Sequence, residues 1–237
     1  MRAYADLHLC PPLDDLANAR SMANLLTELE TRTVGLVVPP ERMVASRAIV
    51  DLFKSSGIDV ATRLDLKPRS REELLKGLRR FRNRYEVIAV ECTVPVVSRV
   101  AVRDRRVDIV YFPKHQSRNI FWGNLAKSCR AALEFNMSEM ILGPGLETAL
   151  HRVKREIEAA AETSATVVGS TKASNPLELR SARDIAAILH VFGLPFDAAL
   201  RAVSSIPLAI VTKNRLRIGK PRPEEGVRIL RRSEDGE

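Results

Sequence analysis

The first residues with the types and spacing for chemistry are Asp6 and His8, in the stretch Tyr-Ala-Asp-Leu-His-Leu-Cys at positions 4–10. On a β-strand alternate side chains share a face, so Asp6, His8 and Cys10 point the same way. Asp-x-His-x-His at the end of a first strand would be a ligand set for metal-assisted phosphoester hydrolysis. Here Cys10 replaces the second histidine. A multinuclear centre needs further histidines or carboxylates at other strand ends. The chain holds only His8, His115, His151 and His190, and the last two fall in helical patterns. The second strand ends Val-Val-Pro-Pro, and the seventh runs into Gly-Ser-Thr-Lys, which places Lys172 where a ligand is expected. An ammonium group repels a divalent cation sharing its site. Glu91, after the fourth strand, is one more candidate, but one glutamate and one histidine do not hold a catalytic metal. The reading is therefore a site without metal, in which Asp6 and His8 form a structural pair with the aspartate fixing the imidazole. A metal-dependent phosphoesterase stands as the alternative.

The elements that must position these residues alternate. Short, nearly continuous apolar runs at 3–9, 34–38, 58–64, 87–90, 107–112, 139–142 and 165–168 read as parallel strands covered on both faces. Amphipathic stretches at 41–56, 70–84 and 117–136 read as the helices between them. Strand–helix repetition of this kind predicts an α/β, TIM-barrel-like single domain of about seven parallel strands surrounded by helices. A doubly wound open sheet is the second choice, because no glycine-rich phosphate turn follows the first strand. Asn175-Pro176-Leu177-Glu178 carries an N-cap, a proline and a glutamate in the order that opens a helix, predicted to run to Phe192. A second helix is expected over 195–206. A helix-turn-helix DNA reader has the same outline, as do two helices covering a barrel. The expected division is a barrel domain over 1–217 and a charged tail over 218–237.

Charge indicates a partner. The chain has 38 basic and 29 acidic residues, a net +9, which favours a polyanion through counterion release. Residues 67–84 and 99–130 each carry eight basic and two acidic side chains. Lys114, His115 and Arg118 follow the fifth strand at the opening of a helix, where cations are disfavoured unless an anion is present, so they read as phosphate contacts. Only 5% of residues are aromatic, too few for a series of base-stacking platforms. Recognition by backbone and shape, of a folded RNA, is expected. Cys10, Cys92 and Cys129 show no knuckle or disulfide spacing and fit a reducing cytoplasm. Acid and histidine near the N-terminus argue against a signal peptide, and no apolar run reaches the ~20 residues of a membrane span.

Four stretches carry a resemblance: "YADLHL", "VAVRDRRVDIVYFP", "SRNIFWGNLAKSCRAALEFNMSEMIL" and "SNPLELRSARDIAAILHVFGLPFDAALRAVSSIP". Together they are similar to the barrel-shaped protein subunit of archaeal and eukaryotic ribonuclease P, called component 3 in archaea and related to the PHP metal phosphoesterases. The likeness covers nearly the whole chain to about residue 217, its compactness and lack of a long extension imply the archaeal form, and the charged tail is not part of the shared pattern. It implies binding of the ribonuclease P RNA, which itself cleaves 5′ leaders from precursor tRNA with magnesium. It also implies pairing with a small ferredoxin-like subunit, association with the other ribonuclease P proteins, and no cofactor or catalytic side chain on this chain. The residues it marks for RNA or partner contact are Arg99, Arg103, Arg105, Lys114, His115, Arg118, Lys172 and Arg180.

Overall fold

Valine-, leucine- and isoleucine-rich segments separated by amphipathic helices bury two faces of a sheet at once, and the chain does so in sequence order. The computed structural model describes residues 3–113, 121–141 and 146–218. Its elements are β1 (Tyr4–Leu9), α1 (Leu16–Glu28), β2 (Thr31–Val37), α2 (Arg47–Ser55), β3 (Asp59–Leu66), α3 (Arg71–Phe81), β4 (Val87–Glu91), α4 (Pro95–Ala101), β5 (Ile109–Tyr111), α5 (Asn124–Lys127), β6 (Ala132–Asn136), α6 (Ser138–Ile141), α7 (Leu146–Thr163), β7 (Val167–Ser170), α8 (Ala182–Val191), α9 (Phe196–Ala202) and α10 (Ser205–Ile218).

Neighbouring strands pair in the order β1 to β7, each parallel to the last. The seven strands form a nearly closed barrel, as expected. In place of a β1–β7 ladder, β1 bonds to the chain just after β7 and to the residue that caps α9. Leu9 bridges Ala173, Cys10 N–H donates to the Ala173 carbonyl at 2.8 Å, and Ala5 N–H donates to the Val203 carbonyl at 3.0 Å. The buried Asp6 carboxylate fills the remaining seam, accepting Thr171 N–H at 3.1 Å, the Thr171 hydroxyl, and His8 N–H at 3.1 Å. Asp6 thus holds the His8 backbone and the seam, whereas the expected pairing had it orienting the imidazole.

Outward side chains of the strands, such as Leu36, Leu64, Val90, Leu133 and Val167, meet the helices in the larger core. Inward side chains fill the lumen. Its lower part is apolar, with Leu7, Ala61, Val87, Ala89, Ile109, Ala132 and Val168 packed against Val211, Ile206 and Ile210 of α10. The helix α10 closes the N-terminal end: Asn214 Nδ2 donates to the Glu86 carbonyl at 2.6 Å, and Arg215 forks onto Asp59 at 2.8 and 2.9 Å. At the seam side, a bulge between Asp6 and Leu9 turns the Leu7 carbonyl toward Gly35. A Cβ at position 35 would sit 2.2 Å from that oxygen, so only glycine fits.

Several boundaries depart from expectation. The sixth strand is Ala132–Asn136, not 139–142, and residues 138–141 are helical. Leu125, Cys129 and Leu133 happen to fall at helical spacing, while the true alternation, Leu133 and Phe135 outward with Glu134 and Asn136 inward, has polar inward members and escapes a hydrophobic pattern. The helix α1 begins under an Asp15 cap and lies outside the expected elements. The segment expected to be one helix from 175 to 192 splits. Asn175 caps a short 3-10 turn at Pro176–Glu178, and Ser181 caps α8. Pro207, expected to end a helix, lies instead in the first turn of α10, where its missing N–H leaves nothing unpaired. The helices α8 and α9 cover the barrel wall, burying Ile185, Leu189, Ala199 and Ala202.

Candidate functional site

Strand alternation carries Arg63 and Asp65 of β3, Glu91 of β4, Tyr111 of β5, Glu134 of β6 and Ser170 of β7 into the upper lumen, where the bulge in β1 also delivers His8. Arg63 is fully buried. Its Nε donates to Asp65 Oδ1 at 2.6 Å and its Nη1 to the Leu7 carbonyl at 2.9 Å and to Glu134 Oε1 at 2.5 Å. Its Nη2 donates to Glu134 Oε2 at 2.8 Å and to Asp65 Oδ2 at 3.5 Å. His8 Nδ1 lies 2.9 Å from Glu134 Oε2, and its Nε2 lies 3.3 Å from Asp65 Oδ2 in ion-pair range. The Ser170 hydroxyl donates to Glu134 Oε1 at 3.0 Å. The Tyr111 hydroxyl sits 3.1 Å from both Asp65 Oδ2 and Glu91 Oε2, and Lys67 reaches Glu91 at 3.2 Å.

The electrostatics follow from this packing. Burial and the Arg63 guanidinium oppose an imidazolium at His8, but the Glu134 and Asp65 carboxylates outweigh them and hold its pKa up at about 10. Burial likewise opposes ionisation of Glu134 and Asp65, yet Arg63 and His8 together hold both below the usual carboxylate range. Two cations thus face two anions in a buried lumen, paired as buried charge must be. Burial, reinforced by Asp65 and Glu91, keeps the Tyr111 phenol far above its ordinary range. Burial also raises Asp6 despite its hydrogen bonds and pushes the Cys92 and Cys129 thiols up to about 12. These thiols are core groups, not nucleophiles.

The described residues among those expected to contact RNA or a partner divide between the two ends of the barrel. Arg99, in the last turn of α4, and Arg103 and Arg105, in the connection to β5, are exposed at the N-terminal end. Arg105 lines a cleft of about 620 Å³ there with Arg130, Asp104, Asp108, Ile206, Ile210 and Lys213. Lys172 stands at the opposite mouth, in a left-handed backbone conformation (φ 57°), with its ammonium 5.5 Å from the Tyr111 ring. Arg180 lies beyond it and donates to the Leu177 and Leu179 carbonyls at 2.7 and 2.6 Å. Lys114, His115 and Arg118 fall outside the described residues. Arg63, Asp65, Tyr111 and Glu134 are absent from the expected set. The Arg-x-Asp alternation inside an apolar strand at 63–65 was the available signal, since a buried charge implies a buried partner.

A family model described as RNase P subunit p30 matches residues 3–219. The chain belongs to that family. Ribonuclease P protein component 3 of Methanosarcina acetivorans is 30% identical over 167 residues, covering 67% of this chain and 69% of that protein. The protein of the same name from Methanosarcina mazei is 25% identical over 222 residues, 91% of each. A chain in the cryo-EM structure of archaeal ribonuclease P with mature tRNA superimposes with a TM-score of 0.77 at 21% identity, covering 98% of this chain and 100% of that one. Histidinol phosphate phosphatase from Lactococcus lactis, complexed with zinc, L-histidinol and phosphate, shares the fold more distantly. Its TM-score is 0.50 at 10% identity, covering 81% of this chain and 94% of that one.

A metal such as that phosphatase's zinc does not fit the residues of this family member. The carboxylates that would ligate it turn their oxygens onto the Arg63 guanidinium and the His8 ring. Among the described residues no three His, Cys, Asp or Glu side chains converge as ligands.

Proposed function

We propose that this chain acts as a protein subunit of ribonuclease P, binding its RNA and supporting removal of 5′ leaders from precursor tRNA while the RNA carries out the cleavage. Membership of the RNase P subunit p30 family over residues 3–219 carries this reading. The upper lumen agrees with it, because its acids and bases are paired with one another rather than presented to a substrate. On this reading the chain binds no cofactor of its own, and magnesium belongs with the RNA. A small ferredoxin-like subunit and the other ribonuclease P proteins are its protein partners, and the particle works in the cytoplasm. Among the described residues no helix is long and apolar enough to cross a membrane.

RNA contact is assigned to Arg99, Arg103 and Arg105 at one end of the barrel, to Lys172 and Arg180 toward the other, and to Lys114, His115 and Arg118. The outer face of α3, with exposed Lys76 and Arg80, and the exposed Arg84 in the turn just after it are assigned to solubility. Reconstitution of the particle at several salt concentrations tests the division. Replacing Arg99, Arg103 and Arg105 with Gln should flatten the log-affinity against log-salt slope by about 1 for each phosphate that is no longer neutralised. Lys114→Gln with Arg118→Gln should act likewise. The triple Gln variant of Lys76, Arg80 and Arg84 should leave the slope nearly unchanged. The reverse ranking would move the RNA onto the barrel wall.

A further inference from the structure

Two carboxylates buried in a barrel lumen need positive charge beside them, because a lone buried anion is among the most unfavourable features a fold can hold. In a barrel phosphoesterase metal ions can supply that charge. Here β3 supplies it from its own sequence. A guanidinium has five N–H donors in a fixed fork. At Arg63 all five are taken: one by Asp65 Oδ1, two by the Leu7 carbonyl and Glu134 Oε1, and two by Glu134 Oε2 and Asp65 Oδ2. The acceptors come from three strands, so the group ties β1, β3 and β6 across the lumen. His8 completes the balance on the far side of the same two carboxylates.

We infer that Arg63 is the resident cation of this barrel, its guanidinium supplying to the buried Asp65 and Glu134 carboxylates the positive charge that would otherwise have to come from a bound cation. The protein folds around this internal charge, and a metal ion is excluded from the lumen by like charge and by the engagement of its ligands' lone pairs. A compact ammonium is a poor replacement, since three rotatable donors cannot span a planar five-acceptor cage.

The test uses the full chain. Wild type incubated with zinc or manganese and then desalted should retain no stoichiometric metal, and its thermal midpoint should not respond to a chelator. Arg63→Ala should lower the midpoint by roughly 10 °C, given the removal of a buried charge partner in a chain of this size. Ethylguanidinium at millimolar concentration should restore part of that stability, more than ethylammonium does, and leave wild type unmoved. Should Arg63→Ala fail to fold, Arg63→Lys is expected to fold with a midpoint below wild type. Stoichiometric zinc or manganese on wild type, absent from Glu134→Gln, would overturn the inference. So would an Arg63→Lys protein as stable as wild type, or equal rescue by the two amines.

Discussion

Raising the pH should strip the His8 imidazolium of its proton and with it the support it gives the lumen. The free imidazole titrates near 6.5 and the buried one at about 10. A group whose folded pKa is raised stabilises fully below its unfolded pKa and loses that contribution as the pH climbs to its folded one. Across this window the native state binds one more proton than the unfolded state, so stability falls by about 1.4 kcal/mol per pH unit, on the order of 5 kcal/mol in all. The assay is urea unfolding of wild type and His8→Gln at intervals from about pH 6.5 to about pH 9.5. Glutamine keeps a donor for Glu134 without the charge, and titration of tyrosines, lysines and thiols is common to both proteins and cancels. The stability difference between them should shrink by about 4 kcal/mol over those three units. Parallel pH profiles would refute the imidazolium and leave His8 as a neutral hydrogen-bonding ring.

The packing supports three further outcomes. Gly35→Ala, which drives a methyl against the Leu7 carbonyl, should lose about 3 kcal/mol in urea unfolding; an unaltered midpoint would mean that the β1 bulge relaxes freely. Asp6→Ala should also lose about 3 kcal/mol, since it orphans the Thr171 and His8 amides in the seam. Hydrogen exchange at those two amides should accelerate ahead of the amides of β3 and β4, and uniform exchange would remove Asp6 from the closure. Asn214→Leu should lose about 1 kcal/mol by leaving the Glu86 carbonyl only its long 3.5 Å bond from Arg82 under α10, a change read by thermal unfolding, and stability equal to wild type would show that the plug does not depend on the Asn214 bond.

Much of the architecture was legible because it rests on local rules. Continuous apolar runs separated by amphipathic ones specify parallel strands with helices between them, and the charged blocks and family-like stretches needed no coordinates. The interior of the barrel was not legible in the same way. Glu134 sits in a segment whose apolar spacing fits a helix, and its inward direction emerges only once β6 pairs with β5 and β7. The cross-strand partners of Arg63 lie 56 and 71 residues away, and that of Asp6 lies 165 residues away. Nothing in the intervening sequence signals such distances, because a charge pair is a property of two strands facing one lumen. The sequence by itself determined the strand–helix order and the basic character. Tertiary structure alone decided that the upper lumen is an ion-paired knot centred on an arginine, since closing the sheet is what brings its charges within reach of one another.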